Sequence, residues 1–318
     1  SICTAISKQH SFDFDLDAIF SRLIYSQILF PGSKLRVTEL SKKLFEHPDF
    51  EYHQVLRALS VINEHFDEIQ RSLYRNSLKV VDRKAGIVYY DCTNYYFEID
   101  LPREDKQKGP SKENRHEPII GQALLLDADL VPLGMQMYPG NESEKPYIRR
   151  TIEEMKQRYR VSGKTVQVAD KGLNCARNIY AAVREADDGY IFSKSIHGKA
   201  LSRAEKDWIL LENDANVFID YPDEKGNTRF RLKSCVDTFS YSFKETDPET
   251  GEETVTSFSV KEKRIVSYNP GLAKKQRAEI LKMADKAARC TTYKKLQREE
   301  LGDSVKYVKV TGKDKDGK

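Results

Sequence analysis

The sequence predicts an α/β chain of the mixed α+β type, helical at its N-terminus and sheet-rich from Gly86 onward. Three observations predict it. Apolar residues recur at helical spacing through residues 17 to 78, and from Gly86 short β-branched and aromatic runs alternate with helical segments. From residue 196 the runs alternate apolar with polar and are separated by polar turns, the pattern of an antiparallel β subdomain.

In the first part, Ile19, Phe20, Leu23, Ile24 and Ile28 make one helical series, and Val55, Leu56, Leu59, Val61 and Ile62 make another. Pro31-Gly32 ends the first helix and Ser33 suits the cap of the next. Such a lobe can be a packing module or a helix-turn-helix reader of DNA. The sheet-rich part begins with a strand at Ile87 to Thr93. A hairpin follows, Ile119 to Leu126 and Val131 to Tyr138, with Asp127-Ala128-Asp129 as its turn. A helix from Pro146 to Tyr159, a strand from Thr165 to Ala169, a helix from about Ala176 to Glu185 and a strand from Tyr190 to Ser193 complete it.

The order β-β-β-α-β-α-β most simply gives a three-stranded meander extended by two helical crossovers, which is the order of the ribonuclease H-like fold. In that topology the first and fourth strands are neighbours. Four alternating runs follow, Thr228 to Cys235, Asp237 to Lys244, Thr254 to Val260 and Arg264 to Tyr268, and then a basic helix from about Leu272 to Glu299. The expected parts are therefore residues 1–85 (helical lobe), 86–195 (first part of the core) and 196–318 (β-rich insertion plus helix).

With 318 residues, 39% hydrophobic and 32% charged, the chain is long enough for several cores and too apolar to be disordered. No run of 18 apolar residues and no basic-then-apolar leader occurs in it, so a membrane span or secretory signal is not predicted and a cytoplasmic location is expected. Five widely spaced cysteines without a C-x-x-C pair read as free thiols. Residues 261–318 carry 17 Lys and Arg against 8 Asp and Glu, a surplus that suits a polyanion or a solvated helix face.

Two acidic residues stand out. Asp91 interrupts an apolar strand, where a carboxylate removed from water is costly unless it is hydrogen-bonded or faces a cation. Asp170 follows Val166-Gln167-Val168-Ala169 at a strand's carboxyl end, where sites of open α/β sheets gather. Two convergent carboxylates suit Mg²⁺ or Mn²⁺, and a pair of such ions about 4 Å apart supports phosphodiester chemistry.

The strings from Asp91 to Glu98, Pro132-Leu133-Gly134 with Pro139-Gly140-Asn141, and Val168-Ala169-Asp170-Lys171-Gly172 resemble DDE transposases of a bacterial insertion-sequence family with a β-strand insertion. The resemblance implies DNA transposition: metal-dependent cleavage at transposon ends and strand transfer into target DNA. It implies a site of Asp91, Asp170 and a Glu holding two Mg²⁺ or Mn²⁺ ions, and a homodimer working on double-stranded DNA. It also implies that Lys112, Arg115, His116 and Lys171 bind DNA, an arginine fork and a histidine ring nitrogen suiting phosphate.

The sequence departs from that family in one respect. The helix pattern of Tyr, two residues, Arg, three residues, Glu, six residues, Lys is not found after the insertion, so the catalytic Glu and the C-terminal part of the core are expected beyond Lys318. Two alternatives stay open: a non-catalytic DNA-binding remnant, and a self-contained nuclease that draws its third carboxylate from Glu153 or Glu154. Tyr95, Tyr96 and Phe97 suit base stacking, but core packing is the stronger expectation.

Overall fold

The computed structural model describes residues 1–46, 49–110, 116–159, 163–196, 201–213, 216–289 and 302–308. The chain divides into two compact units, Ser1–Lys194 and Ser195–Lys318.

The first unit opens with five helices, α1 (Ile2–Ser7), α2 (Leu16–Leu29), α3 (Lys34–Ser41), α4 (Tyr52–Glu64) and α5 (Phe66–Ser77). Asp15 caps α2, its carboxylate accepting from the amides of Asp17 and Ala18, and the Ser33 hydroxyl accepts from Arg36 at the start of α3. α2 ends at Leu29, immediately before the Pro31-Gly32 break that the sequence marks. The first helix, α1, is not marked by any apolar period long enough to read. Its Cys3 and Ile6 nonetheless join Leu16, Ile19, Val55 and Ala58 in a core of the lobe's own.

A five-stranded sheet follows: β1 (Ile87–Tyr96), β2 (Ile119–Leu126), β3 (Pro132–Pro139), β4 (Val166–Ala169) and β5 (Gly189–Phe192), in the spatial order β3-β2-β1-β4-β5. β1, β2 and β3 pair antiparallel, while β4 and β5 run parallel to β1. This is the ribonuclease H-like arrangement. α6 (Lys145–Tyr159) links β3 to β4; α7 (Ala176–Tyr180), continued by a π-helical turn at Ala181–Glu185, links β4 to β5. Arg149 of α6 donates to Asn178 of α7 at 2.5 Å, so the two crossover helices lie on one face of the sheet.

The period of two along β1 decides what each residue meets. Val88, Tyr90 and Cys92 point to the helices and join Ala123, Leu125, Ile148, Ile152 and Met155 in the main core. Each Val, Leu, Ile or Met among them contributes roughly 1.5–3 kcal/mol. Asp91 therefore points the other way and is exposed, which corrects the expectation of a carboxylate withdrawn from water. β1 also runs on to Tyr96, with Tyr95 51% and Tyr96 40% exposed, so these two are not core residues.

Two buried ion pairs fasten this unit. Arg83 Nε donates to Asp127 Oδ2 at 2.6 Å, with the pair's side chains 2% and 1% exposed, and the same guanidinium reaches Ser77, Val131 and Pro132. Asp188, just before β5, accepts from Lys156 of α6 at 2.5 Å and from the Thr165 amide and Gln167 at 2.9 Å.

The second unit holds α8 (Arg203–Leu210), a three-stranded antiparallel sheet of β6 (Ile219–Pro222), β7 (Thr228–Thr246) and β8 (Glu253–Tyr268), and α9 (Pro270–Ala288). The four expected runs are in fact two long strands, continuous through Val236 and through Lys261–Lys263. No turn former stands at either join, and a ribbon with little buried surface tolerates charge where a core strand would break. α9 ends at Ala288; the expected extension to Glu299 lies outside the described residues. The four described cysteines, Cys3, Cys92, Cys175 and Cys235, are free thiols.

Candidate active site

β1 and β4 are hydrogen-bonded parallel neighbours whose register pairs Tyr89 with Val168 and Tyr90 with Ala169. The next residue on each chain is Asp91 and Asp170. Neighbouring strands lie about 4.8 Å apart, so residues 79 positions apart in sequence stand side by side, both exposed, where β4 ends.

Local hydrogen bonds hold each carboxylate by one oxygen. Asp91 Oδ1 accepts from the Cys92 amide at 2.8 Å, and Asp170 Oδ1 accepts from the Gly172 amide at 2.7 Å. Gly172 stands in the turn after β4. A Cβ there would stand 2.6 Å from Glu144 Oε1 and 3.1 Å from Asp170 Oδ1, so a third carboxylate, that of Glu144, borders Asp170. The sequence reading missed Glu144, which precedes α6 and carries no periodic or motif signal of its own. Asp91, Asp170 and Glu144 are nevertheless no tight cluster, because the one described group of three potential ligands within 4.8 Å of one another is His10, Glu64 and His65.

Behind Asp91, on the covered face, burial pushes the Tyr90 and Tyr138 phenols well above the usual range, which keeps them neutral. On the strand beside Asp91, Tyr95 donates to Gln122 at 2.7 Å, on the face away from the helices. Lys171 is exposed next to Asp170. His116 is exposed too, its amide donating to Glu117 at 3.1 Å, in the connection between β1 and β2. Lys112 and Arg115 lie outside the described residues. The same connection folds back where Gly109 meets Gly140 so closely that a Cβ on Gly109 would stand 1.9 Å from the Gly140 carbonyl oxygen. Gly140 stands in the turn after β3 and also makes this close backbone approach.

Glu153 and Glu154 are not brought to the aspartate pair. Glu154 binds Arg150 at 2.7 Å and faces a cleft of ≈ 840 Å³ between α5, β3 and α6, lined also by Asp67, Arg71, Met135 and Arg158. β3 stands three strands from β4, roughly 14 Å at normal spacing. Glu153 is exposed and binds Gln157 at 3.2 Å. Glu153 lies on α6's outer surface and Glu154 on its flank, both offset from the buried Ile148, Ile152 and Met155.

No family model matches the sequence, and no curated protein matches it significantly. Among solved structures it is similar to a piggyBac transposase synaptic complex with hairpin DNA, at 10% identity over 81% of this chain and 56% of that one, TM-score 0.39. It is also similar to the Mos1 transposase paired-end complex with the left transposon end, at 10% identity over 57% and 60% of the two chains, TM-score 0.25. A third is the Mos1 mariner paired-end complex with Mn, at 9% identity over 63% and 65%, TM-score 0.23. The chain spans about six-tenths of each of these chains, and similarity at this level gives no residue a role. Among the described residues no helix is long and apolar enough to cross a membrane.

Proposed function

We propose that the chain is part of a DNA transposase of the DDE class, of the bacterial insertion-sequence type with a β-strand insertion. Asp91 and Asp170 are two of its metal-binding carboxylates. The observation that carries the reading is the register of β1 against β4, whose last pair, Tyr90 with Ala169, immediately precedes the two aspartates. Its second support is the set of strings around Asp91, Pro132 to Asn141 and Asp170 that resemble that family.

The donor set fits the cations such chemistry uses. Both groups are exposed carboxylates oriented by backbone amides, and hard oxygen donors that leave room for water and phosphate are what Mg²⁺ and Mn²⁺ require. When bound, a pair of such ions activates the attacking hydroxyl and stabilises the leaving oxygen. In this reading Lys171, next to Asp170, and Lys112, Arg115 and His116, from the sequence between β1 and β2, bind the phosphate backbone of double-stranded DNA. Cleavage at transposon ends and strand transfer by a cytoplasmic homodimer is the activity this assigns to the whole protein, to which this chain contributes residues 1–85 (helical lobe), 86–195 (first part of the core) and 196–318 (insertion and helix).

Mn²⁺ titration of the 318-residue chain tests the reading. Asp91→Ala and Asp170→Ala are each expected to weaken Mn²⁺ binding at least tenfold, with far-UV circular dichroism unchanged. A folded chain whose Mn²⁺ binding ignores both changes would instead be a DNA-binding remnant. In a nicking assay with transposon-end DNA and Mn²⁺, Glu153→Gln and Glu154→Gln are expected to leave any cleavage in place. Its loss would restore the self-contained nuclease.

A further inference from the structure

The helical lobe contains a second set of potential metal ligands, unlike the aspartate pair in chemistry and in place. His10 follows α1, whereas Glu64 ends α4 and His65 joins α4 to α5. The Nε2 atoms of His10 and His65, 55 residues apart in sequence, face each other at 2.7 Å. One ligand atom from each histidine and one Glu64 carboxylate oxygen lie within 4.8 Å of one another.

The other ring nitrogen of His65 is also engaged. Nδ1 lies 3.1 Å from Glu68 Oε2, and a carboxylate can only accept, so Nδ1 carries a proton and, in the neutral ring, Nε2 presents a lone pair. A carboxylate behind an imidazole in this way is the arrangement that orients metal-binding histidines and raises their basicity. His10 is positioned by an aromatic ladder: its ring stacks on Phe12 at 5.7 Å, and Phe12 stacks on Phe14 at 4.4 Å. His10 and His65 are half-buried and Glu64 is exposed, so three ligands converge from inside the lobe and from its rim while one direction opens to water.

We propose that His10, Glu64 and His65 form a Zn²⁺ site completed by water, with Glu68 as the positioning carboxylate. Two imidazoles and one carboxylate suit Zn²⁺, and imidazole nitrogens select against Mg²⁺ and Ca²⁺. Zinc–nitrogen bonds of about 2.0–2.1 Å in a tetrahedral site set ligand nitrogens roughly 3.3 Å apart. Loading therefore moves the His10 proton from Nε2 to Nδ1, freeing the Nε2 lone pair, and spreads the two rings by roughly half an ångström from their hydrogen-bonded contact. The ion ties the segment between α1 and α2 to the α4–α5 joint, closing a long loop in a small lobe, and its binding energy becomes folding energy for that lobe.

The test uses the full chain, stripped with a chelator and titrated with Zn²⁺ alone in the presence of excess Mg²⁺, which occupies the aspartate pair. One Zn²⁺ per chain at micromolar concentration is expected, with a rise in melting temperature. Co²⁺ in its place should give the visible absorption of a tetrahedral site. His10→Ala and His65→Ala should abolish both signals, and Glu68→Gln should weaken binding about 10–100-fold. The exposed Glu64→Gln change decides the matter if loss of His65 unfolds the lobe, because it too should weaken Zn²⁺ binding at least tenfold. Zinc binding that survives His10→Ala and Glu64→Gln, or a folded chain that takes up no zinc, overturns the proposal. Mn²⁺ binding at Asp91 and Asp170 is read separately and does not bear on it.

Discussion

The two units both contain antiparallel sheet, but they are held together differently. In the first, β1, β2 and β4 turn one face onto α6 and α7, and apolar side chains such as Val88, Ala123 and Leu125 are fully buried there. In the second, β7 and β8 run for 19 and 16 residues with hardly a buried apolar side chain between them. What fixes the ribbon is charge laid against aromatic rings. Arg264 lies 3.3 Å over Phe239 and pairs with Glu262 and Glu205, and the buried Lys233 ammonium sits 4.5 Å from the Phe218 ring and donates to Leu211 O. Alternating sequence makes a strand in both places, but only where helices cover one face does it also make a core.

Stability in the first unit should accordingly fail at a few buried polar joints, each of which the apolar packing leaves no water to replace. Arg83 is the clearest, since one guanidinium satisfies the Asp127 carboxylate, two hairpin carbonyls and the Ser77 hydroxyl at the end of α5. Arg83→Ala strands Asp127 as a buried, unpaired charge. We expect a loss of about 3–5 kcal/mol in chemical denaturation. A loss below about 1 kcal/mol would mean that water reaches the joint and that the contrast with the ribbon is false.

The parts of this comparison were unevenly legible in the sequence. The order of strands and helices was readable because each run in residues 87–193 carries its own period, and Asp91 and Asp170 were readable because each stands at a position where a strand needs a reason for an acid. Asp91's exposure was not, because an apolar run looks the same whether one face or both are covered. Glu144 came to Asp170 through the turn at Gly172, a matter of backbone path. Asp188 carries no local signal of its partners, and His10 and His65 meet only through the packing of the lobe. In each case the missing information is a contact between distant segments, which no local period encodes.

Asp188 offers the next largest effect and a pH signature. Burial opposes its ionisation, yet the hydrogen bonds from Lys156, Thr165 and Gln167 outweigh this and hold its pKa below the ordinary value of 3.8. A depressed carboxylate contributes stability that is present above its unfolded pKa and is lost as pH falls through the folded one. Asp188→Asn should cost about 3 kcal/mol at neutral pH. The difference from wild type should shrink in melts run below about pH 4, where the wild-type carboxylate begins to be protonated as the chain unfolds.

In the ribbon the corresponding change should matter less. Arg264→Ala removes a cation from Phe239 and from two glutamates whose side chains remain partly open to water. The expected cost is about 1–2 kcal/mol, seen as faster amide hydrogen exchange in β7 and β8 and little change in the amides of β1 or β4. Protection lost equally in both sheets would show that the two units unfold as one, and that the contrast in packing has no energetic counterpart.

The smallest effect concerns the turns. Both hairpin turns of the ribbon place glycine where the backbone is left-handed, Gly226 at φ 80° and Gly251 at φ 73°. In the first unit the turn between β2 and β3 puts Leu130 there instead, at φ 63°, an arrangement that costs a branched residue roughly 1 kcal/mol. The turn persists because Asp127 Oδ1 accepts from the amides of Asp129 and Val131 while Arg83 grips the same carboxylate. Leu130→Gly relieves the strain but frees the unfolded chain, and the two nearly cancel, so a gain of about 0.5 kcal/mol or less in thermal denaturation is expected. In an Arg83→Ala background the carboxylate no longer anchors the turn from the far side, and the same glycine should recover more of the lost stability. Equal gains in both backgrounds would show that the turn's shape is set by its own residues, as in the ribbon, and that Arg83 only fills space.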